Sequence, residues 1–374
     1  MKIIKALLKI FAVGIILIAF IAAGIAIYME FYGKQLLEAK LSDVLGAKLK
    51  FSGVSLDLSK YSVNFRGFTI PAEIGFENKA IFHAEKFILV FDKGKFEKEK
   101  KIAISEVIID KGVFDIERNQ KGIFNMAGFG NSQYSHKETG IAWAGENIMP
   151  IYNFAKNARR LLVKNSAVNF KDYYISQQPY AVTCRNFAAD IRMAPENEPL
   201  HGLIPVSFKL SLEIPKGAAP AGAPGAVFME GNAAVYKNKV DTEFAIDTQD
   251  IDVMQFLLYF NNYTPFTFYG GEFDSNTKVA MHNNVLNSPT TMVWRRLNLA
   301  IDQGRENTSF LEASVKKLVP YLTSGAGEIT FDFVIKGSVE NPEVGIGPKV
   351  KMAIGMSVMD EVGDILQQLQ KLKR

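Results

Sequence analysis

The sequence predicts a mainly β protein with flanking helices, in which an N-terminal transmembrane helix leads into an elongated, curved, mostly antiparallel sheet. Three observations point there. Between residues 50 and 345, short runs that alternate apolar and polar residues follow one another closely; the clearest is Val206 to Ile214, VSFKLSLEI. Alternation with period two gives each strand one apolar and one polar face. The unit VIIDKGVFDIERNQKGIFN, Val107 to Asn125, has a looser copy in LLVKNSAVNFKD, Leu161 to Asp172, with Asn165-Ser166 standing in place of Lys111-Gly112. Each copy reads as a strand, a kink and a continuing strand. Finally, Ile10 to Tyr28 contain no charged residue.

That apolar run has the length a helix needs to cross a hydrocarbon layer of about 30 Å. Lys2, Lys5 and Lys9 precede it. By the positive-inside rule they hold the N-terminus in the cytoplasm and send the bulk of the chain across the membrane. Ile10, Ile16, Phe20, Ile25 and Tyr28 are the expected anchor positions. A cleaved signal peptide is the alternative, since Ala22, Ala23, Gly24 and Ala26 supply small residues. Against it, the run is longer than a signal-peptide core, and no clean A-x-A precedes a polar start.

The expected organisation is a cytoplasmic tip and anchor over 1–29, a juxtamembrane helix over 30–50, a β-rich region over 51–350 and an amphipathic helix over 351–374. Within the β region, strands are expected at 54–58, 61–65, 68–70, 86–91, 161–172, 186–193, 206–214, 227–235, 240–246, 273–281, 328–337 and 344–346, besides the repeat unit. Residues 215–225, PKGAAPAGAPG, are a flexible connection and the best candidate break. Helices are expected at 141–162, at 250–263 with Asp250 or Asp252 as cap, and at 307–322. Some 16–18 strands at about 4.8 Å would build a sheet of roughly 75–90 Å.

Composition excludes several classes. Lys and Arg total 43 against 39 Asp and Glu, a balance that does not suggest a nucleic-acid partner. The single cysteine, Cys184, rules out an internal disulfide and any multi-cysteine metal site. His83, His136, His201 and His282 lack ligand spacing, and no G-x-S-x-G, P-loop or G-x-G-x-x-G occurs. Asp247, Asp250 and Asp252 lack the glycine and distal Glu of a calcium loop. No catalytic residue, metal site or cofactor is therefore expected, and the chain reads as a non-enzyme.

Taken together, the anchor followed by VSLDLSKYSVNFRGFTI, the unit VIIDKGVFDIERNQKGIFN, LLVKNSAVNFKDY, LLYFNNYTPFTFYGGEFDSNTKVAM and VIKGSVENPEVGI resemble the AsmA-like superfamily, within it the DUF748-type branch. The resemblance covers most of residues 1–350 and rests on the order of these patterns. It implies a bacterial inner-membrane protein with a β-groove in the periplasm, associated with phospholipid movement and outer-membrane homeostasis. An apolar trough would shelter acyl chains while head groups stay in water, each shielded methylene gaining about 0.8 kcal/mol. Val206, Phe208, Leu210, Leu212, Phe331, Phe333 and Ile335 are the candidate groove residues; an ordinary core beneath the helices is the alternative for each. The expected partners are the membrane and phospholipid. In a second hypothesis, the chain is an envelope scaffold that recruits a protein partner through an exposed strand edge.

Overall fold

The computed structural model describes residues 48–72, 75–99, 103–125, 158–176, 178–194, 203–216, 223–236, 239–259, 266–301, 327–338 and 341–348, with isolated positions at 34–35, 38–39, 42, 323–324 and 351–352. They form one 13-stranded sheet whose spatial order is the chain order. The strands are β1 (Gly53–Asp57), β2 (Ser62–Pro71), β3 (Ala80–Phe91), β4 (Ile104–Arg118), β5 (Arg160–Asp172), β6 (Tyr180–Met193), β7 (Ile204–Ile214), β8 (Gly225–Val235), β9 (Val240–Asp252), β10 (Phe266–His282), β11 (Val285–Ile301), β12 (Ile329–Ser338) and β13 (Asn341–Ile346). A short helix, α1 (Lys93–Glu99), lies between β3 and β4, and a 3-10 turn, Val253–Phe256, follows β9. Thirteen strands, rather than the larger number expected, give a sheet about 58 Å across.

Neighbouring strands pair antiparallel, through short connections at β1–β2, β8–β9, β10–β11 and β12–β13 and through longer ones elsewhere. Between β10 and β11 the turn is Asn283-Asn284, both at positive φ (51° and 63°), the geometry that matches the twist of a tight hairpin. The exception is β4 against β5, which is parallel. Here the chain leaves β4 at Arg118 and re-enters at the far end at Arg160, as a parallel pair requires.

That pair explains the sequence repeat. Val107 lies beside Leu161, Ile109 beside Val163, Phe114 beside Val168 and Arg118 beside Asp172, so the two copies sit in register with their kinks aligned. Lys111 (φ 54°) and Asn165 (φ 48°) both take the left-handed conformation. The buried Ser166 hydroxyl joins the kinks, accepting the Gly112 N–H at 3.0 Å and donating to the Lys164 carbonyl at 2.7 Å. Gly112 fits because any Cβ there would meet the Ile109 side chain at 2.7 Å. Left-handed residues recur in other strands, at Gly67, Asn186, Asp250, Gly271 and Arg296. At Asn186, Asp250 and Gly271 the register shifts as well, and such irregularities bend a strand and increase its twist.

The phrase after β4 turns as its sequence suggests. The Asn119 side chain accepts from the N–H groups of Lys121 and Ile123, both at 3.0 Å, and Gly122 takes φ 79°. Asn125 then hydrogen-bonds back to β4 through the Glu117 N–H and the Asp115 carbonyl. The buried Glu117 carboxylate accepts from the Glu77 and Asn78 N–H groups at 2.8 Å and holds the β2–β3 connection.

Helix content differs from expectation at several points. Residues 34–35, 38–39 and 42 are helical, but Leu49 and Lys50 are not, and Lys50 bridges Thr69. The helix expected from Asp250 begins only at Val253, because β10 holds Ile251 and Asp252 in β9; Asp252 is the cap, its side chain accepting the Met254 N–H at 2.9 Å. The strands expected at 61–65 and 68–70 are one strand, β2, running through Gly67. Two elements were not expected. α1, KGKFEKE, has no apolar period and starts where Asp92 accepts the Lys95 N–H at 3.0 Å. β11 carries Pro289 and a run of hydroxyls that hide its alternation. β7 and β8 pair directly from Ile214–Gly225 onward, so the sheet continues across the connection at 215–225. The helix expected over 141–162 does not reach its end, because Arg160 to Leu162 already belong to β5. Its residues 141–157, the helix expected over 307–322, most of 351–374 and the anchor residues Ile10, Ile16, Phe20, Ile25 and Tyr28 lie outside the described residues. Among the described residues no helix is long and apolar enough to cross a membrane.

Candidate functional site

Following the register from strand to strand places the apolar residues of the sheet on a common side. Val54 pairs with Phe65, Phe65 with Phe87, Phe87 with Ile109, and Ile109 lies beside Val163. Val163 pairs with Ala189, Ala189 with Leu210 and Leu210 with Met229. Met229 pairs with Ile246, Ile246 with Thr277, Thr277 with Thr290 and Thr290 with Phe333. The seven candidate groove residues therefore share this face: Val206, Phe208, Leu210 and Leu212 on β7, and Phe331, Phe333 and Ile335 on β12, five strands or about 24 Å away.

Two buried clusters occupy parts of the face. One joins Leu49, Phe51, Phe65, Phe68, Phe82, Val107, Val163, Ile204 and Val235; the other joins Val253, Phe268, Trp294 and Ile329. The seven candidates are all half-buried and belong to neither buried set, although Val206 and Leu210 pack against the first and Phe331 against the second. Between β7 and β12 the face continues through half-buried Met229, Phe244, Ile246, Val279, Met281 and Leu286. A seam of hydroxyls crosses it: Thr248 with Ser275 at 2.9 Å and Thr277 with Thr290 at 3.1 Å satisfy one another. Gly231 on β8 lies between Phe208 and Phe244, whose rings meet across it at 5.8 Å between centroids.

The opposite face is charged and held by ion pairs, most of them between strands. Arg160 bonds Asp190 at 2.8 Å and Glu106 at 3.0 Å, Arg192 reaches Asp190 at 3.0 Å, and Lys209 meets Glu230 at 2.8 Å. Hydrogen bonds from Arg160 and then Arg192 hold the Asp190 carboxyl well below its usual 3.8. A depressed carboxylate contributes stability that is complete above the unfolded value and is lost as pH falls through the folded one. We expect the urea midpoint to drop below about pH 4, and Asp190→Asn to make that drop shallower.

One end of the apolar face carries buried polar groups. Arg118 and Asp172 are register partners at the ends of β4 and β5. Asp172 is fully buried and accepts from the Tyr259 hydroxyl at 2.6 Å and the Tyr174 N–H at 2.8 Å, with the Arg118 guanidinium at 3.6 Å. Arg118 lies over the Tyr174 ring at 4.2 Å. Tyr180 meets Tyr259 edge-on at 5.0 Å and Phe256 at 6.4 Å, and its buried hydroxyl has no hydrogen-bond partner among the described residues. Burial pushes both phenols upward, and for Tyr259 the bond to Asp172 adds to the effect. The turn after β9 thus reaches back to β5 and β6 and closes this end of the face. Sequence reasoning missed the cluster, since Tyr259 and Asp172 are 87 residues apart.

Other reactive side chains are dispersed. Burial raises the Cys184 thiol, so it is a poor nucleophile at neutral pH. His83 and His282 are exposed, the latter against Glu243 at 3.0 Å; His136 and His201 lie outside the described residues. Asp247 accepts from Asn276, Asp250 pairs with Arg295 at 2.8 Å and Asp252 caps its turn. Among the described residues no group of His, Cys, Asp or Glu is arranged to hold a metal ion. No family model and no curated protein matches this chain.

Proposed function

We propose that the chain is an AsmA-like, single-pass protein of the bacterial inner membrane, with a cytoplasmic N-terminus and a periplasmic sheet. It binds phospholipid acyl chains along its apolar face and assists lipid transport or outer-membrane homeostasis without catalysing a reaction. The observation that carries the proposal is the band of half-buried apolar residues between the two buried clusters, from Phe208 and Leu210 to Phe333 and Ile335. Sheets of ordinary proteins cover such a face with a second layer. Among the described residues the main contacts between strands are those of sheet neighbours, with the turn after β9 reaching back to β5 and β6. An acyl chain laid on the band would gain about 0.8 kcal/mol for each methylene withdrawn from water. A sheet about 58 Å across suits a shuttle or one segment of a longer path better than a complete bridge.

The scaffold alternative needs a long open edge, and both edge strands are short: β1 has 5 residues and β13 has 6. The test is photo-crosslinking in the full chain. A photoreactive phenylalanine analogue at Phe244, on the apolar face, is expected to capture phospholipid in cells. The same analogue at Phe228, exposed on the charged face, is expected not to. Equal capture at both positions, or none at Phe244, contradicts the proposal.

A further inference from the structure

On the charged face, at the β1–β4 end, a cleft of about 560 Å³ is lined by Ser52, Arg66, His83, Glu85, Lys86 and Lys111 among others. Arg66 and Lys86 face each other directly across β2 and β3, an arrangement of like charges that costs a sheet stability. Both are exposed, and neither makes an ion pair among the described residues. Of the acids nearby, one is paired with another cation and one meets a neutral amide. Glu85 pairs with Lys111 at 2.8 Å, and Asp110, opposite Lys86 on β4, accepts from Asn165 at 3.0 Å. Beside Arg66, Gly67 takes a left-handed φ of 58° and leaves room for the Ser52 hydroxyl; a Cβ at Gly67 would meet that oxygen at 2.7 Å.

We propose that this cleft is a binding site for a phosphate group, with Arg66 and Lys86 as its two cationic contacts. A planar guanidinium and a mobile ammonium converging on one cleft are the pairing that phosphate oxygens take up. A bound anion would offset the repulsion between Arg66 and Lys86. The site does not depend on lipid binding at the apolar face, which lies on the other side of the sheet.

Two effects of opposite sign separate this role from a structural one. In the full chain in neutral detergent, titration with inorganic phosphate followed by phosphorus NMR is expected to show saturable binding. Arg66→Gln with Lys86→Gln should weaken it at least tenfold while leaving the urea midpoint without phosphate equal or higher. Lys209→Gln, whose partner is Glu230 on the same face, should change binding less than twofold. A second arm compares flotation with phosphatidylglycerol vesicles and with phosphatidylcholine vesicles. A phosphatidylglycerol-dependent gain lost in the double variant assigns the site to a lipid head group, and phosphate binding without that gain assigns it to a soluble phosphate ester. Absence of saturable phosphate binding, or equal binding by the double variant, overturns the proposal.

Discussion

Asp172→Ala is expected to destabilise the fold by about 3–5 kcal/mol, read as a lowered urea midpoint. The carboxylate is fully buried at the end of the apolar face, accepts hydrogen bonds from Tyr174 and Tyr259, and is the counter-charge of Arg118. Its removal leaves the Arg118 guanidinium without a counter-charge and the Tyr259 hydroxyl without an acceptor, and such orphaned groups cost more than the bonds themselves contribute. Tyr259→Phe removes one donor and leaves Asp172 the Tyr174 N–H and the Arg118 charge, so about 1 kcal/mol is expected. Asp172→Asn keeps an acceptor but not the charge and should fall between them. Equal losses in Tyr259→Phe and Asp172→Ala would locate the stabilisation in the closing turn alone.

Gly231→Val is expected to cost about 3 kcal/mol, the upper end of the range for overpacking. A Cβ at Gly231 would run into the Glu243 carbonyl and the Phe244 backbone, and backbone cannot swing aside as a side-chain tip can. The substitution would also separate the Phe208 and Phe244 rings that close over the glycine. Gly231→Ala should cost less than the valine change, because it brings no branched atoms, while still meeting the Glu243 carbonyl. A midpoint unchanged in the valine variant would mean that β8 and β9 can part at no expense.

Much of the sheet is legible in the chain because the alternation of VSFKLSLEI or FDFVI marks both the strand and its apolar side. The copy of VIIDKGVFDIE in LLVKNSAVNFK even carries the kink residues, Lys111 and Asn165, that take the same left-handed φ. What the repeat does not disclose is that its copies are parallel neighbours, which depends on where the 41 residues between Arg118 and Arg160 bring the chain back. β11 escaped notice because Pro289 and its threonines and serines weaken the period, and those same hydroxyls form the seam across the apolar face. The groove candidates on β7 and β12 follow from alternation, and the register puts them on one side. The Asp172 cluster could not be read in advance. It is made by a turn after β9 returning to β5, and no local pattern encodes that return.

The most direct test of lipid binding is mass spectrometry of lipids that co-purify with the full chain, beside a Leu210→Asp variant shown to be folded by its urea midpoint. Phospholipid retained in stoichiometric amount by the wild-type protein and lost in the variant is the predicted result. A folded wild-type protein free of phospholipid, or equal retention in the variant, would contradict binding at the apolar face.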